Sequence, residues 1–221
     1  MIDATEAVFP RPVMLRGTDV HVTPILPERH TEDLFQQVGT REHDALWTYL
    51  FDGPFGDRDA FHAYLTRRSA STDPVCFAIV DAATERAVGL STLMRIEPRH
   101  RVIEIGGILF SPALQQTRGA TEAMYLLARH VFEDLGYRRY EWKCNALNAP
   151  SRRAALRLGF AFEGIFRQHM IIKGRNRNTA WYAMIDGDWP QRKQEFDRWL
   201  ARDNFDAAGR QRTQLSMPKA D

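Results

Sequence analysis

One stretch, Ile103 to Leu135, constrains the fold more than any other: IEIGGILFSPALQQTRGATEAMYLLARHVFEDL. An apolar run of strand length enters a short polar loop. The loop enters a helix whose apolar positions, Ala120, Ala123, Met124, Leu127, Ala128, Val131 and Leu135, repeat with a period near 3.6. Gly136 follows as its C-cap. A strand, a loop and a helix N-terminus together form an anion site from backbone N–H groups. Neither Gly-x-Gly-x-x-Gly nor Gly-Lys-Ser stands in that loop, so the common nucleotide loops are excluded. The stretch suits some other phosphate-bearing ligand.

The flanking sequence extends this unit. Tyr140 to Cys144 alternates and reads as a strand. Strand, crossover helix and strand imply parallel neighbours. Upstream, Val75–Val80, Ala87–Ile96 and Arg101–Phe110 are strands separated by short turns, which predicts an antiparallel meander. Asp19–Thr23 reads as a first strand. Thr31 and Asp57 read as caps of two helices between it and the meander. Downstream, Pro150 opens a helix that Gly159 ends. Phe160–Ile172 and Asn178–Ile185 are then strands joined by a Lys173–Asn176 turn, and residues 189–202 are a last helix. Residues 1–16 are expected to be a mobile arm, 17–190 the folded domain, and 191–221 a helix with a loose tail.

With 221 residues, 44% hydrophobic and 26% charged, the chain has the balance of an ordinary globular domain. A net charge of +2 with scattered basic residues argues against nucleic acid. Cys76 and Cys144 lie in apolar runs and read as buried free thiols, with no metal site expected. No run reaches about 18 apolar residues, and the N-terminus has no leader-like apolar segment. A cytoplasmic protein without membrane contact, monomer or homodimer, is the expectation.

Two motifs carry a family resemblance. Gln115-Gln116-Thr117-Arg118-Gly119-Ala120-Thr121-Glu122-Ala123 resembles the pyrophosphate loop Arg/Gln-x-x-Gly-x-Gly/Ala of the GNAT superfamily of N-acetyltransferases. Asn148-Ala149-Pro150-Ser151, followed by Leu158-Gly159-Phe160, resembles its second signature. Phe162-Glu163-Gly164 continues as in the RimJ/RimL-type branch, named for enzymes acetylating ribosomal-protein N-termini. In the register set by Thr121-Glu122-Ala123, Arg118 stands where the family usually has its first glycine. Sliding by one restores Gly119 there.

The resemblance implies an α/β (α+β) fold with a central mixed, mostly antiparallel sheet of about seven strands flanked by helices. It implies an N-acetyltransferase using acetyl-CoA, without a metal, on a peptide or small-molecule amine. The loop Gln115 to Thr121 would hold the pyrophosphate, and the backbone of Ile108, Leu109 and Phe110 the pantetheine as an added strand does. Asn148 would bind the pantetheine arm. Arg153 is placed to reach the adenosine phosphate. The general base is Glu104, the one carboxylate inside the central strand, with Glu163 and His169 as rivals. The general acid is Ser151, with Tyr125 as the weaker choice and helix capping as the plain reading of Ser151. Trp47, Tyr49, Phe51 and Phe55, with Arg167, Glu163 and His169, would line the acceptor pocket. A CoA-binding sensor without catalysis is the alternative.

Overall fold

The computed structural model describes residues 5–217. The elements are β1 (Leu15–Arg16), β2 (Val20–Pro24), α1 (Pro27–Leu34), α2 (Arg58–Ser69), β3 (Val75–Asp81), β4 (Ala87–Glu97), β5 (Val102–Phe110), α3 (Arg118–Arg129), β6 (Arg139–Asn145), α4 (Ala149–Arg157), β7 (Ala161–Ile172), β8 (Arg175–Ile185) and α5 (Trp189–Leu200). They build a mixed sheet of eight strands in the order β1-β2-β3-β4-β5-β6-β8-β7. The β5–β6 pair is parallel and the others are antiparallel. The eighth strand is the two-residue β1, too short to leave a periodic signal.

β3 explains why helices cover both faces. Val75, Phe77 and Ile79 join one core with α3 residues such as Ala123 and Leu127, α4 residue Ala155 and α5 residue Phe196. Cys76, Ala78 and Val80 alternate into a second core with Leu34, Trp47, Phe61 and Leu65 around α1 and α2.

α1 starts earlier than Thr31. Pro27 occupies its first turn, where a fixed φ suits the helix and no N–H is missed. Thr31 sits inside, its hydroxyl donating to the Pro27 carbonyl at 2.6 Å. The expected cap is therefore a mid-helix residue bonded one turn back. Asp57 does cap α2, accepting from Ala60 N–H at 2.8 Å. The β7–β8 turn is shorter than expected. Lys173 and Gly174 both have positive φ, 49° and 72°, so two residues close the hairpin.

The described parts of the arm and the tail are hydrogen-bonded to the rest of the domain. Ala7 N–H donates to Pro98 O and Val8 N–H to Leu135 O. Near the other end, Asn204 Nδ2 donates to Thr213 O, and Trp199 Nε1 donates to Gln211 Oε1 at 2.8 Å. The polar composition that suggested a loose tail instead supplies hydrogen bonds to α5. The remainder of the expected arm and tail lies outside the described residues. Among the described residues, no helix is long and apolar enough to cross a membrane.

One carboxylate ties the helix to the sheet. Glu122 is buried and accepts three backbone N–H bonds, from Thr18 and Asp19 at 2.7 Å each and from Val20 at 2.9 Å. Arg118, one turn earlier, pairs in fork geometry with Asp19. Gly119 lies between them, and a Cβ there would stand 2.9 Å from Val20 Cγ1. Truncating Glu122 leaves three donors unpaired, buried at Val20 and part-buried at Thr18 and Asp19, so Glu122→Ala should lower unfolding stability by about 3 kcal/mol in urea titrations. A loss below about 0.5 kcal/mol would show that the turn holds α3 without it.

Candidate active site

Two sequence features part the sheet. Pairing between β5 and β6 runs from Val102↔Arg139 to Ile105↔Trp142 and then stops. Beyond that point β5 continues to Phe110 with β4, and β6 continues to Asn145 with β8. The β4–β5 register shifts between Leu90 and Thr92, which face Leu109 and Gly106, so β5 carries one extra residue there. Gly107 lies in this bulge with φ +55°, and a Cβ on Gly106 would collide with Met94 Sδ. The glycine pair thus bends β5 away from β6. Residues 106–110 keep a backbone edge inside the sheet with no strand beside it.

That edge is one wall of a cleft of about 1580 Å³. The far end is the loop into α3. Gln116 is left-handed there, at φ +61°. Thr117 caps α3 by accepting from Ala120 N–H at 3.1 Å, and Thr117 N–H donates to Leu114 O. The N–H groups of Gln116, Arg118 and Gly119 have no acceptor among the described residues, so they supply the helix-terminus anion site. Gln115 turns back, its Nε2 donating to Phe110 O at 2.9 Å.

Arg118 does not add its charge to this site. Asp19 and the Leu200 carbonyl hold its guanidinium, and the Phe205 ring lies beneath it. Gly119 is the position where α3 touches β2, which explains why the glycine stands there and the arginine before it. Thr121 is buried and accepts from Arg157 Nη1 at 3.0 Å. Arg157, which no motif in the sequence marks, lines the cleft together with Arg153.

β6 and α4 form the opposite wall, where Cys144, Asn148 and Ser151 line the cleft, and Glu104 lines it from β5, where the ladder to β6 is about to part. Asn148, not Ser151, caps α4, accepting from Ser151 N–H at 3.1 Å. Ser151 Oγ instead accepts from Trp142 Nε1 at 3.0 Å. An indole can only donate, so the serine keeps its own hydrogen to give. Cys144 is a buried free thiol, its pKa raised by burial against a lowering pull from the Ser151 hydroxyl.

Glu104 belongs to a ribbon of alternating charge. Arg95 Nε is 3.0 Å from Glu104 Oε2, and Lys143 Nζ is 2.8 Å from the same oxygen. Lys143 Nζ is 2.5 Å from Glu141 Oε2, and Arg139 Nε is 2.7 Å from Glu141 Oε1. Arg139 then holds Glu163 through both nitrogens, at 2.8 and 2.5 Å. Residues 139, 141 and 143 share one face of β6, so strand alternation alone lines them up. Burial raises the Glu104 pKa, and Lys143 and Arg95 oppose the rise.

The rivals and the aromatic wall divide. Glu163 is fixed on Arg139 outside the cleft lining. His169 Nδ1 lies 2.9 Å from Thr179 Oγ1 beside Trp181, also outside the lining, and burial and nearby cations lower its pKa. Tyr125 donates to Asp197 at 2.6 Å, toward α5. Trp47 is a core residue: 1% exposed, its Nε1 donates to Val38 O at 2.7 Å. Phe55 packs edge-on against it at 5.1 Å. Tyr49 and Phe51 do line the cleft. Loop aromatics of similar composition thus serve two ends, and only the three-dimensional packing separates them. Among the described residues, no group of three or more His, Cys, Asp or Glu is placed to hold a metal ion.

A family model described as an acetyltransferase (GNAT) domain matches residues 20–161. A crystal structure of a GNAT N-acetyltransferase from Brucella melitensis is 44% identical, covers 96% of each chain and has a TM-score of 0.94. A probable acetyltransferase (GNAT family) from Chromobacterium violaceum is 39% identical over 86% of this chain and 94% of its own, with a TM-score of 0.80. A ribosomal-protein-serine acetyltransferase from Escherichia coli is 30% identical over 102 residues, 46% of this chain. The match spans 56% of that curated relative's length.

Trp47→Ala should destabilise the protein by about 3–5 kcal/mol, as loss of a large core ring does. Tyr49→Ala should leave stability within about 0.5 kcal/mol and raise KM for the amine substrate. Paired thermal melts and kinetics on the two variants check this.

Proposed function

The chain belongs to the acetyltransferase (GNAT) domain family, and on that premise we propose that it moves an acetyl group from acetyl-CoA to a primary amine. The acceptor is a peptide N-terminus or small molecule, attacking directly in a ternary complex. Residues 17–190 carry this activity. The observation that carries the reading is the parted β5–β6 ladder, with a helix N-terminus at one end of the opening and Glu104 and Ser151 on its wall.

The cleft residues fit the donor. Backbone groups of residues 106–110 offer a strand edge for the amide-bearing pantetheine arm. The free N–H groups of Gln116, Arg118 and Gly119 suit the pyrophosphate, and Arg153 and Arg157 suit the remaining phosphate. Acetyl-CoA supplies an activated thioester, so the protein needs to position the amine and manage protons.

Glu104 takes the amine proton. Its raised pKa brings it nearer to neutral pH than an ordinary carboxylate, while Arg95 and Lys143 hold it in place. Ser151 lines the cleft with an oxygen that already accepts from Trp142, so its hydrogen is left for a neighbouring sulfur, Cys144 at rest or the leaving thiolate in the reaction, which suits a general acid. The similarity to a ribosomal-protein-serine acetyltransferase supports a protein or peptide amine as acceptor.

The base must be ionised to act. Turnover should therefore fall as pH drops through the raised Glu104 pKa and reach its plateau above it. Glu104→Gln should lower kcat by about 10²–10⁴-fold and abolish that acidic limb, with CoA affinity by calorimetry unchanged. Unchanged kcat, or an acidic limb that persists in the variant, would assign the base elsewhere.

A further inference from the structure

The ribbon beside the cleft is neutral as a unit. Three cations, Arg95, Lys143 and Arg139, alternate with three carboxylates, Glu104, Glu141 and Glu163. Arg177 stands next to it and is not part of it. It is 6% exposed, lines the same cleft, and has no carboxylate within ion-pair distance among the described residues. Its one hydrogen bond there is from Nε to the neutral Thr179 hydroxyl at 3.1 Å. Its guanidinium carbon lies 5.1 Å from the centre of the Phe51 ring. Burial lowers its pKa, against an opposing pull from Cys144 and Glu104, and Arg95, a like charge, lowers it further. Glu104 is already shared by two closer cations. The guanidinium rests one face on Phe51, gives its Nε to Thr179 and leaves its terminal nitrogens without a partner among the described residues at the cleft, and a charge so desolvated with no counter-charge favours an anion beside it.

We infer that Arg177 reads a carboxylate on the acceptor, so that the preferred amines carry an acidic group close to the reacting nitrogen. This rests on the acetyltransferase reading of the cleft, and narrows it. The guanidinium fork matches a carboxylate bidentately. Removing a partner from a buried, charge-assisted contact discriminates far more sharply than removing a methylene. Phe51 then acts as the platform that keeps the fork aimed into the cleft rather than as a stacking surface for a flat substrate.

Two readouts separate the failure of this inference from the failure of the donor reading. CoA binding by calorimetry, together with acetyl-CoA-dependent thiol release on an amine mixture, tests the donor site alone. The anion subsite is tested with matched probes: phenylalanine against phenylalaninamide, and the Ser-Glu against the Ser-Gln dipeptide amide. Succinate against succinamide, followed by ligand-observed NMR, reads the same contact without turnover. In the wild-type chain the acidic member of each amine pair should have a kcat/KM at least tenfold higher, and succinate should bind where succinamide does not. Arg177→Gln should remove the preference and the succinate signal while CoA affinity stays unchanged. Arg177→Lys, which keeps the charge without the fork, should keep the preference in weaker form. Wild-type ratios near one overturn the inference, even if Arg177→Gln fails to fold. So does a variant that loses turnover equally on acidic and neutral amines, since that is a catalytic or structural role.

Discussion

The parallel ladder between β5 and β6 holds for four residue pairs and then ends, although both strands go on. The cause is local and covalent in origin. An extra residue and a glycine with positive φ bend β5 toward β4, where Gly106 leaves room for Met94. A sheet interior normally leaves no backbone group unpaired, because an orphaned buried N–H or C=O is expensive. Here the cost is offset by making the gap a cleft open to a ligand. The helix that follows β5 is set by the same geometry, so its N-terminus points into the end of the gap. Glu122 and the Arg118–Asp19 pair fix that helix on β2.

The charges beside the gap are arranged so that ionised groups can be buried. A lone carboxylate at the place of Glu104 would be driven to its neutral form. Two cations hold it, one of them shared with Glu141, which is held in turn by Arg139. The chain of pairs ends at half-exposed Glu163. Glu163 therefore acts at a distance as the last link of the ribbon, and its place outside the cleft follows from that.

Much of this was legible in the sequence. Elements with a long period or strong alternation, such as α3, β3 and β6, are dictated by which faces they bury. The two motifs around Gln115–Thr121 and Asn148–Ser151 both line the cleft, the first at its far end and the second on the wall opposite β5. What was not legible depends on packing between distant segments. Trp47 and Tyr49 stand two residues apart in one aromatic loop, yet one is core and the other lines the cleft. Ser151 at a helix start reads as a cap, but Asn148 had already taken that role, which frees Ser151 for Trp142. Arg177 lies in a basic hairpin, and the ring that packs on it is Phe51, more than a hundred residues earlier. α1 shows the reverse error: Thr31 has the right type for a cap, but Pro27 starts the helix a turn before it.

A donor received on the unpaired edge of β5 as an added strand covers the backbone of residues 106–110. Amide hydrogen exchange of residues 106–110, with and without saturating CoA, tests this directly. CoA should slow exchange in this segment and in Gln116 to Gly119, while β3 amides are unchanged. CoA that binds by calorimetry yet leaves exchange at residues 106–110 unaltered would contradict it.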